Sequence, residues 1–260
     1  MPHAVDLDAG EVLAFRCNVC GAECSALPEE LTREGASCGG CGSSVRQRAV
    51  VRLLSLALFG ESLAIGDFPL RPDLAVLDMS GAETYAQRLA GKLGYTNTFL
   101  HREPRLDITA PDPSWLGRCD LVVSSDVLEH VAPPVAAAFG NCLRLLRPGG
   151  LLVLTLPFTR AGPHVEHFPV LHDFRIAEDD GRRVLLNSTA DGRRQRFEDL
   201  VFHGGEGETL EMRVFSRESL LSHLAEAGFA QIALHPEPEL RSGILWQHDW
   251  SLPATARRPL

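Results

Sequence analysis

The sequence predicts an α/β fold with a doubly wound, mostly parallel sheet and a small cysteine-rich unit in front of it. From about residue 73, short apolar runs alternate with segments of helical periodicity, which is typical of a parallel sheet covered by helices on both faces. Five of the seven cysteines fall between Cys17 and Cys41, which indicates a separate unit. At 260 residues, 45% hydrophobic and 23% charged, the chain has an ordinary globular composition.

We divide the chain into three parts. Residues 1–45 form a zinc-ribbon unit that we call the Cys module, residues 46–72 form a linking helix and connector, and residues 73–260 form the α/β domain. A segment at about 157–215, rich in proline, histidine, aspartate and arginine, interrupts the α/β pattern, and we call it the insertion. Within it, residues 204–207 are glycine-rich and predict a hairpin turn.

The Cys module carries the spacing of a zinc ribbon. Cys17-x-x-Cys20 and Cys38-x-x-Cys41 are separated by seventeen residues, and each turn aims two thiolates at one point. We therefore predict a Zn²⁺ ion on these four cysteines, and a structural one, since four thiolates leave no open coordination position. Cys24 is a spare thiol, either buried or an alternative ligand. The module either only stabilises the fold or also covers the active site as a lid or a platform for the substrate.

The remaining elements follow from periodicity. A helix is predicted over 45–59, because its apolar residues share one face and Gly60 can end it. Residues 74–77 form an apolar run that suits a parallel strand, and Ser216 is a candidate N-cap. In order, we expect strands at 74–78, 95–100, 121–124, 151–156 and 231–234, and helices at 83–93, 134–146 and 217–227.

Charge and termini bear on location and partners. The net charge of -9 argues against steering to nucleic acid or to anionic membranes. Residues 1–6 lack the pattern of a signal peptide, and no apolar run reaches the roughly 20 residues of a membrane span. We therefore expect a cytoplasmic protein without a membrane partner.

Two motifs give the α/β domain a family resemblance. Ser124-Ser125-Asp126-Val127-Leu128-Glu129-His130 follows a buried strand, and Pro148-Gly149-Gly150 precedes the next one. In this order and spacing, they resemble the class I S-adenosylmethionine (SAM) methyltransferases over about residues 73–160. The resemblance implies a Rossmann-like sheet that binds SAM at its carboxyl edge.

The resemblance also implies which residues hold the cofactor. The family pattern after the first strand is Asp-x-Gly-x-Gly; here Asp78 is in place, and Ser80 and Ala82 stand at the glycine positions with Gly81 between them. After the second strand, Asn97, Phe99, His101 and Glu103 all remain candidates for the ribose or adenine. The full implied set in the predicted site is Asp78, Ser80, Gly81, Phe99, His101, Asp107, Ile108, Ser125 and Asp126, with Asp107 and Ile108 as a strand-three adenine motif.

The candidates for catalysis follow the strand predicted at 151–156. Three histidines and two carboxylates lie within ten residues, and in the family this loop faces the transferred methyl group. His167 and His172 are the predicted general bases, and Glu166 or Asp173 the carboxylate that orients them. The alternatives are backbone hydrogen bonding, a solvated surface or a second metal site.

These observations favour a SAM-dependent methyltransferase that acts on a small molecule, a sugar or a natural-product intermediate. One alternative is an rRNA or tRNA methyltransferase that uses the zinc ribbon as an RNA clamp, and another is a non-catalytic binding subunit. A nicotinamide dehydrogenase is disfavoured, because no Gly-x-Gly-x-x-Gly follows the first strand. The arginines available to an RNA face are Arg46, Arg48, Arg52, Arg182, Arg183, Arg193 and Arg194.

Overall fold

The computed structural model describes residues 10–159, 161–203 and 209–260. The Cys module begins with a two-stranded antiparallel ribbon of β1 (Leu13–Arg16) and β2 (Glu23–Ala26). Helix α1 (Val45–Phe59) follows, with Ser44 and Gln47 as a capping box at its start and Gly60 in the left-handed conformation at its end. The helix predicted over 45–59 is therefore confirmed at both ends.

A six-stranded sheet forms the centre of the α/β domain. Its elements, in chain order, are β3 (Arg71–Met79), α2 (Glu83–Ala90), β4 (Leu93–Thr98), β5 (Cys119–Ser125), α3 (Ala136–Leu145) and β6 (Leu146–Thr155). After the insertion come β12 (Arg213–Ser216), α4 (Arg217–Glu226), β13 (Ala230–Leu234) and β14 (Ala254–Arg257). The spatial order is β13-β14-β6-β5-β3-β4, where β14 is antiparallel to its neighbours and the inner strands are parallel.

Helices cover both faces of this sheet, as the doubly wound prediction requires. Along β5, Val122 points to a core that it shares with α3 and α4, whereas Leu121 and Val123 point to the opposite core. That second core is covered by α1, by α2 and by the Cys module, whose Phe15 and Leu31 are buried in it. The Cys module is thus part of the wall on one face of the sheet.

The insertion contains small sheets and an apolar core of its own. It comprises β7 (Phe158–Thr159), β8 (Val165–Glu166), β9 (Asp173–Asp179), β10 (Arg182–Ser188) and β11 (Arg194–Phe197). Strand β12 lies between β7 and β8, while β9, β10 and β11 form a separate antiparallel sheet. The glycine-rich turn predicted at 204–207 lies outside the described residues; Phe202 and Leu210, on either side of it, form an antiparallel bridge.

The strands and helices that we predicted for the sheet are confirmed, with ends that differ by a few residues. Strand β14 was not predicted, because Ala-Thr-Ala-Arg has no strong β pattern and depends on pairing with β6. No strand is assigned at 106–109, within the described part of the chain. The boundaries at residues 45 and 72 stay predictions. None of the described helices combines the length and apolarity that a membrane span requires.

Candidate functional site

The strand order defines a crevice at the carboxyl edge of the sheet. From β3 the chain moves to β4 on one side, whereas β5 lies on the other side of β3, so the winding reverses between β3 and β5. Ligands of open α/β sheets bind outside the carboxyl ends of the strands at such a point. We call this place the crevice; Ser80 and Gly81 border it after β3, and Ser125 and Asp126 border it at the end of β5.

Both strand ends at the crevice carry a strained residue. Ser80 has a φ of 57° and Asp126 a φ of 53°, in the left-handed region that side chains other than glycine rarely adopt. Each costs on the order of 1–2 kcal/mol and persists only where its surroundings hold it. Two such residues on the two strands that flank the reversal point indicate a functional site.

The turn after β3 is held by the side chain of Asn97 and by a buried aspartate. The Gly81 N–H donates to Asn97 Oδ1 at 2.7 Å, and Asn97 Nδ2 donates to the Gly81 carbonyl at 2.9 Å. Asp78 is fully buried and accepts from the Tyr95 hydroxyl at 2.9 Å, and a Cβ on residue 81 would collide with both groups. Burial raises the pKa of Asp78 to about 7, against hydrogen bonds from Tyr95 and Tyr85 that lower it. Asp78 therefore contacts the turn from inside the protein.

The end of β5 is held by two arginines that we did not predict for this site. Arg33 donates two hydrogen bonds to the Asp126 carboxylate, at 2.9 and 2.7 Å, and Arg46 lies 3.2 Å from the same carboxylate. Arg46 also donates to Ser125 Oγ at 2.6 Å. Although burial raises the pKa of Asp126, the hydrogen bond from Arg33 and the charge of Arg46 outweigh it and lower that pKa. No motif in the sequence signals this contact, because Arg33 lies 93 residues before Asp126.

A buried carboxyl group lies in the segment that follows β5, next to this border of the crevice. Glu129 is only 2% exposed, and among the described residues its Oε2 atom has no hydrogen-bond partner; the same holds for Ser124 Oγ. Burial, and then the charge of Asp126, raise the pKa of Glu129 well above its usual range. Buried polar atoms without partners are rare in folded proteins, so they indicate the position of a ligand group or of water.

The insertion contributes His167, His203 and Glu211 to a group that also includes His130, from the segment after β5; we call these four residues the imidazole cluster. Nε2 of His167 lies 2.9 Å from one oxygen of Glu211, and Nε2 of His203 lies 2.8 Å from the other. The ring of His130 packs against that of His203, at 5.3 Å between centroids. Since an ionised carboxylate only accepts hydrogen bonds, Nε2 of His167 carries its proton, and its Nδ1 is the atom able to take one.

The imidazole cluster lies beside the segment that follows β5. The backbone N–H of Met212 donates to the carbonyl of Glu129, and that of His167 donates to the carbonyl of Met212, both at 2.9 Å. Nδ1 of His130 lies 3.0 Å from the Leu210 carbonyl. These bonds join the predicted base His167 to the Ser124–His130 motif that resembles the methyltransferases.

The carboxylate that contacts His167 is Glu211 and not the predicted Glu166 or Asp173, whose roles stay predictions. Glu166 is held instead by the buried guanidinium of Arg213, at 2.5 Å, and by His164, at 3.1 Å, because β8 and β12 pair Glu166 directly with Arg213. Asp173 is exposed at the start of β9. His172 is also exposed, and only its backbone N–H is anchored, to Asn187 Oδ1. The structure thus brings one predicted base to the site and supplies Glu211 as its carboxylate.

The residues after β4 differ in what they can offer a ligand. Phe99 is half-buried under the guanidinium of Arg102, at 3.8 Å from its ring centroid, and His101 is exposed. Asp107 accepts from the N–H and the hydroxyl of Thr109, which makes it a turn residue in this structure. Ile108 is buried in the apolar core with α3. The adenine roles of Asp107 and Ile108 stay predictions, in a turn instead of a strand.

The predicted metal ligands are brought together. The Sγ atoms of Cys17, Cys20, Cys38 and Cys41 all lie within 4.8 Å of one another. The two knuckles have the same backbone geometry: the N–H of Gly21 donates to the Cys17 carbonyl and that of Gly42 to the Cys38 carbonyl, each at 2.8 Å with φ above 70° at the glycine. Four convergent thiols on two such turns fit a tetrahedral Zn²⁺.

Two more features belong to this thiol group. Cys24 Sγ lies 3.5 Å from Cys38 Sγ but outside the mutually convergent four, which agrees with the prediction that the outer four cysteines are the ligands. Arg48 is completely buried nearby and donates to the carbonyls of Ser43 and Gly243.

The other two cysteines of the chain, Cys119 and Cys142, are buried in the apolar core, as predicted. Burial raises their thiol pKa values to about 11 and 12.

Comparison with known proteins identifies a family. A model of the methyltransferase domain matches residues 27–234, and no curated protein matches the chain. Among solved structures, similarity is found to a 1,6-didemethyltoxoflavin N1-methyltransferase from Burkholderia thailandensis, with 18% identity, 82% of this chain and 78% of that chain covered, and a TM-score of 0.46. A sugar N-methyltransferase from a Streptoalloteichus species has 16% identity, covers 83% and 87%, and has a TM-score of 0.47. Similarity of this degree says nothing about the substrate.

Proposed function

The chain belongs to the methyltransferase domain family and is a SAM-dependent methyltransferase; from this premise we propose that SAM binds in the crevice and that a small molecule accepts the methyl group. The acceptor that we propose is a hydroxyl- or amine-bearing sugar or natural-product intermediate. The observation that carries the proposal is the crevice itself, where two left-handed residues flank the reversal point; beside it, Glu129 and Ser124 have polar atoms without partners among the described residues.

The residues of the crevice fit the donor. Within the described part of the chain, Glu129 Oε2 and Ser124 Oγ have no partner, and they are hydrogen-bonding groups that an amino-acid or ribose moiety can satisfy. When bound there, SAM supplies an electrophilic methyl group on a sulfonium centre. The backbone of the turn at Ser80 and Gly81, fixed by Asn97, and the end of β5 at Ser125 and Asp126 are the walls that hold it.

The imidazole cluster is the proton acceptor in this proposal. Attack by a hydroxyl or an amine leaves a proton to be removed, and Nδ1 of His167 takes it while Glu211 stabilises the resulting imidazolium through Nε2. His203 is hydrogen-bonded to the other oxygen of Glu211 and is 42% exposed at its side chain, so it connects the pair with solvent. A positioned base of this kind contributes about 10²–10⁴-fold in rate.

The charge distribution supports a small-molecule acceptor over RNA. Three of the seven arginines that could form a basic face are engaged within the protein: Arg46 is paired with Glu34 and Asp126, Arg48 is buried, and Arg52 lies 3.5 Å from Glu239. Electrostatic binding of nucleic acid needs cations that are free to meet phosphates.

We also propose that the four convergent thiols of the Cys module hold one structural Zn²⁺ per chain.

The test combines binding with activity. Isothermal titration with S-adenosylhomocysteine is expected to show one site per chain, and radiolabelled SAM assayed against a panel of amino and hydroxyl sugars and polyketide-like phenols is expected to reveal an acceptor. With that acceptor, His167→Gln and Glu211→Gln each lower kcat by about 10²–10⁴-fold at unchanged affinity for S-adenosylhomocysteine. The matched control is His172→Ala, an exposed histidine of the same insertion, which should keep full activity.

Two results would contradict the proposal. Absence of S-adenosylhomocysteine binding by the wild-type protein would remove the crevice as a donor site. Salt-dependent binding of tRNA or rRNA fragments, together with methyl transfer to them, would replace the small-molecule acceptor by RNA.

A further inference from the structure

The Cys module reaches the crevice through one arginine, and the helix that follows it contributes a second. Arg33 lies between the two cysteine knuckles and donates two hydrogen bonds to Asp126. Arg46 lies in the first turn of α1, two residues after the N-cap Ser44, and contacts both Ser125 and Asp126. Both side chains are mostly buried, at 15% and 16% exposure, so these contacts form part of a wall.

A closed set of hydrogen bonds joins the arginines to the end of β5. Arg46 donates to Ser125 Oγ, the hydroxyls of Ser125 and Thr155 lie 2.8 Å apart, and Thr155 donates to Asp126 Oδ1 at 3.1 Å. The set closes at Asp126, which is bound by both arginines. Asp126 is the residue with the left-handed φ of 53°. The guanidinium groups therefore hold a strained residue that borders the crevice.

The negative charge of Asp126 at the end of β5 is balanced by the two arginines. Asp126 carries a negative charge beside Glu129, whose carboxyl group is buried and whose pKa is raised in part by that charge. Without Arg33 and Arg46, a largely buried carboxylate would be left without its cations, which costs more free energy than the pair contributes when intact. Asp126 would then turn toward water, and the end of β5 would lose its shape.

The position of Arg33 depends in turn on the cysteines. The described residues 31–37 carry no helix or strand, and this segment is followed directly by Cys38, whose N–H donates to the Ser43 carbonyl. The Arg33 carbonyl accepts from the N–H of Arg46 at 3.1 Å, so the two arginines are also linked through the backbone. A metal ion on the four thiols fixes the end of this segment, because its ligand Cys38 follows residue 37 directly.

We propose that Arg33 and Arg46 are positioning residues that couple metal binding in the Cys module to ligand binding in the crevice. The coupling rests on the proposed function, namely on SAM in the crevice and Zn²⁺ on the four thiols. The module is then more than a staple for the fold, since its metal sets the affinity of the enzyme for its donor. By linkage, an adenosyl ligand in the crevice must raise the affinity of the thiols for zinc by the same factor.

The first experiment measures the affinity for S-adenosylhomocysteine in zinc-loaded variants whose metal content is checked by mass spectrometry. Arg33→Met and Arg46→Met are expected to weaken binding on the order of tenfold, within the usual range of coupling between sites, with one zinc per chain retained. Arg33→Lys and Arg46→Lys should recover part of the loss, because lysine restores the charge but not the two-pronged contact. The matched control is Arg16→Met, which removes an exposed ion pair between the Cys module and Asp67.

The second experiment tests the link to the metal. A chelator that strips zinc from the wild-type protein should weaken S-adenosylhomocysteine binding by at least the same factor, and saturating S-adenosylhomocysteine should shift the zinc-competition curve toward tighter binding. In the double variant Arg33→Met with Arg46→Met, this shift should disappear while zinc still binds. If a methionine variant fails to fold, the lysine variants decide the matter by the same titrations.

The outcomes separate the coupling from the function on which it rests. A wild-type protein that binds no S-adenosylhomocysteine refutes the proposed function. A wild-type protein that binds it, with zinc-loaded arginine variants that bind equally well or more tightly, refutes the coupling alone. A zinc-competition curve that the ligand leaves unchanged has the same consequence.

Discussion

The Cys module and the insertion border the same crevice, but different forces hold them together. The module brings Arg33 to the end of β5, and the insertion brings His167 and Glu211 beside the segment that follows β5. The apolar residues of the module are shared with one face of the sheet, and its own centre is a group of four thiols. The insertion has a separate apolar core, around Phe168, Leu185, Leu210 and Met212.

This difference shows how one sheet can carry two kinds of attachment. A segment as short as the Cys module cannot bury enough apolar surface to fold alone, and the metal that we propose on its four thiols would replace the missing core. The longer insertion orders itself by burying leucine and phenylalanine side chains between its strands. We therefore expect the arginine contacts at the end of β5 to depend on metal binding in the Cys module. The imidazole cluster should depend on apolar packing in the insertion.

The largest expected effect comes from breaking the thiol group. Cys20→Ser removes one of the four convergent ligands, so zinc should be lost and the free energy of unfolding should fall on the order of 5 kcal/mol, a fraction of the roughly 10–16 kcal/mol of apparent zinc binding in small metal modules. Zinc stoichiometry and urea denaturation measure both quantities.

Cys24→Ser provides the control for that change. Its sulfur is close to Cys38 but outside the convergent set, so the variant should keep one zinc per chain and nearly the wild-type stability. Loss of zinc from Cys24→Ser, with retention in Cys20→Ser, would mean that the ligand set is Cys17, Cys24, Cys38 and Cys41.

The second largest effect is expected from a substitution in the apolar core of the insertion. Leu185 is completely buried in the core of the insertion, so Leu185→Ala should lower the free energy of unfolding of this region by about 2–5 kcal/mol through the cavity it leaves. Hydrogen exchange should show faster exchange in β9, β10 and β11, while zinc content and S-adenosylhomocysteine affinity stay as in the wild type.

Leu186→Ala is the matched substitution on the adjacent, only partly buried residue, and it should cost clearly less. Equal losses in the two variants, or a loss of zinc in Leu185→Ala, would show that the insertion and the Cys module are not stabilised independently.

The sequence predicts these two attachments unequally, for physical reasons. The cysteine spacing of the Cys module is local, so the four residues whose thiols converge follow from the chain alone, and the zinc they would hold stays a prediction. Sheet strands such as β5 follow from apolar runs that must be buried on both faces. The contacts of Arg33 with Asp126 and of Glu211 with His167 join residues that are 93 and 44 positions apart, and no periodicity encodes them.

The same reasoning explains why the carboxylate beside His167 is neither of the two expected from the sequence. Glu166 and Asp173 are near His167 in sequence, but alternation along a strand and pairing across it decide where a side chain goes. Pairing of β8 with β12 gives Glu166 to Arg213, and Asp173 opens β9 at the surface. Glu211 is brought to His167 by the residue that follows it, because the His167 N–H donates to the Met212 carbonyl.

The smallest expected effect concerns a residue of the central sheet, outside the Cys module and the insertion. It is the pH dependence of the free energy of unfolding that comes from Asp78. Asp78 belongs to β3, and burial raises its pKa in the folded protein to about 7 from an unfolded value near 3.8. Between these two values the folded state holds a proton that the unfolded state has released, so the stabilising contribution of this group falls as the pH rises. The slope is about 1 kcal/mol per pH unit between pH 5 and 6, and it vanishes above the folded pKa.

Asp78→Asn removes this titration while keeping a group that can accept from the Tyr95 hydroxyl. Zinc thiolates and the exposed ion pairs also respond to pH, but they are common to both proteins, so the difference in unfolding free energy between wild type and variant reports Asp78 alone. That difference should change in favour of the variant from pH 5 to pH 7 and stay level from pH 7.5 to pH 8.5. If this difference does not change from pH 5 to pH 7, Asp78 is ionised in the folded protein over that range. The carboxylate beside the turn at Gly81 would then be compensated by Arg46 or another cation.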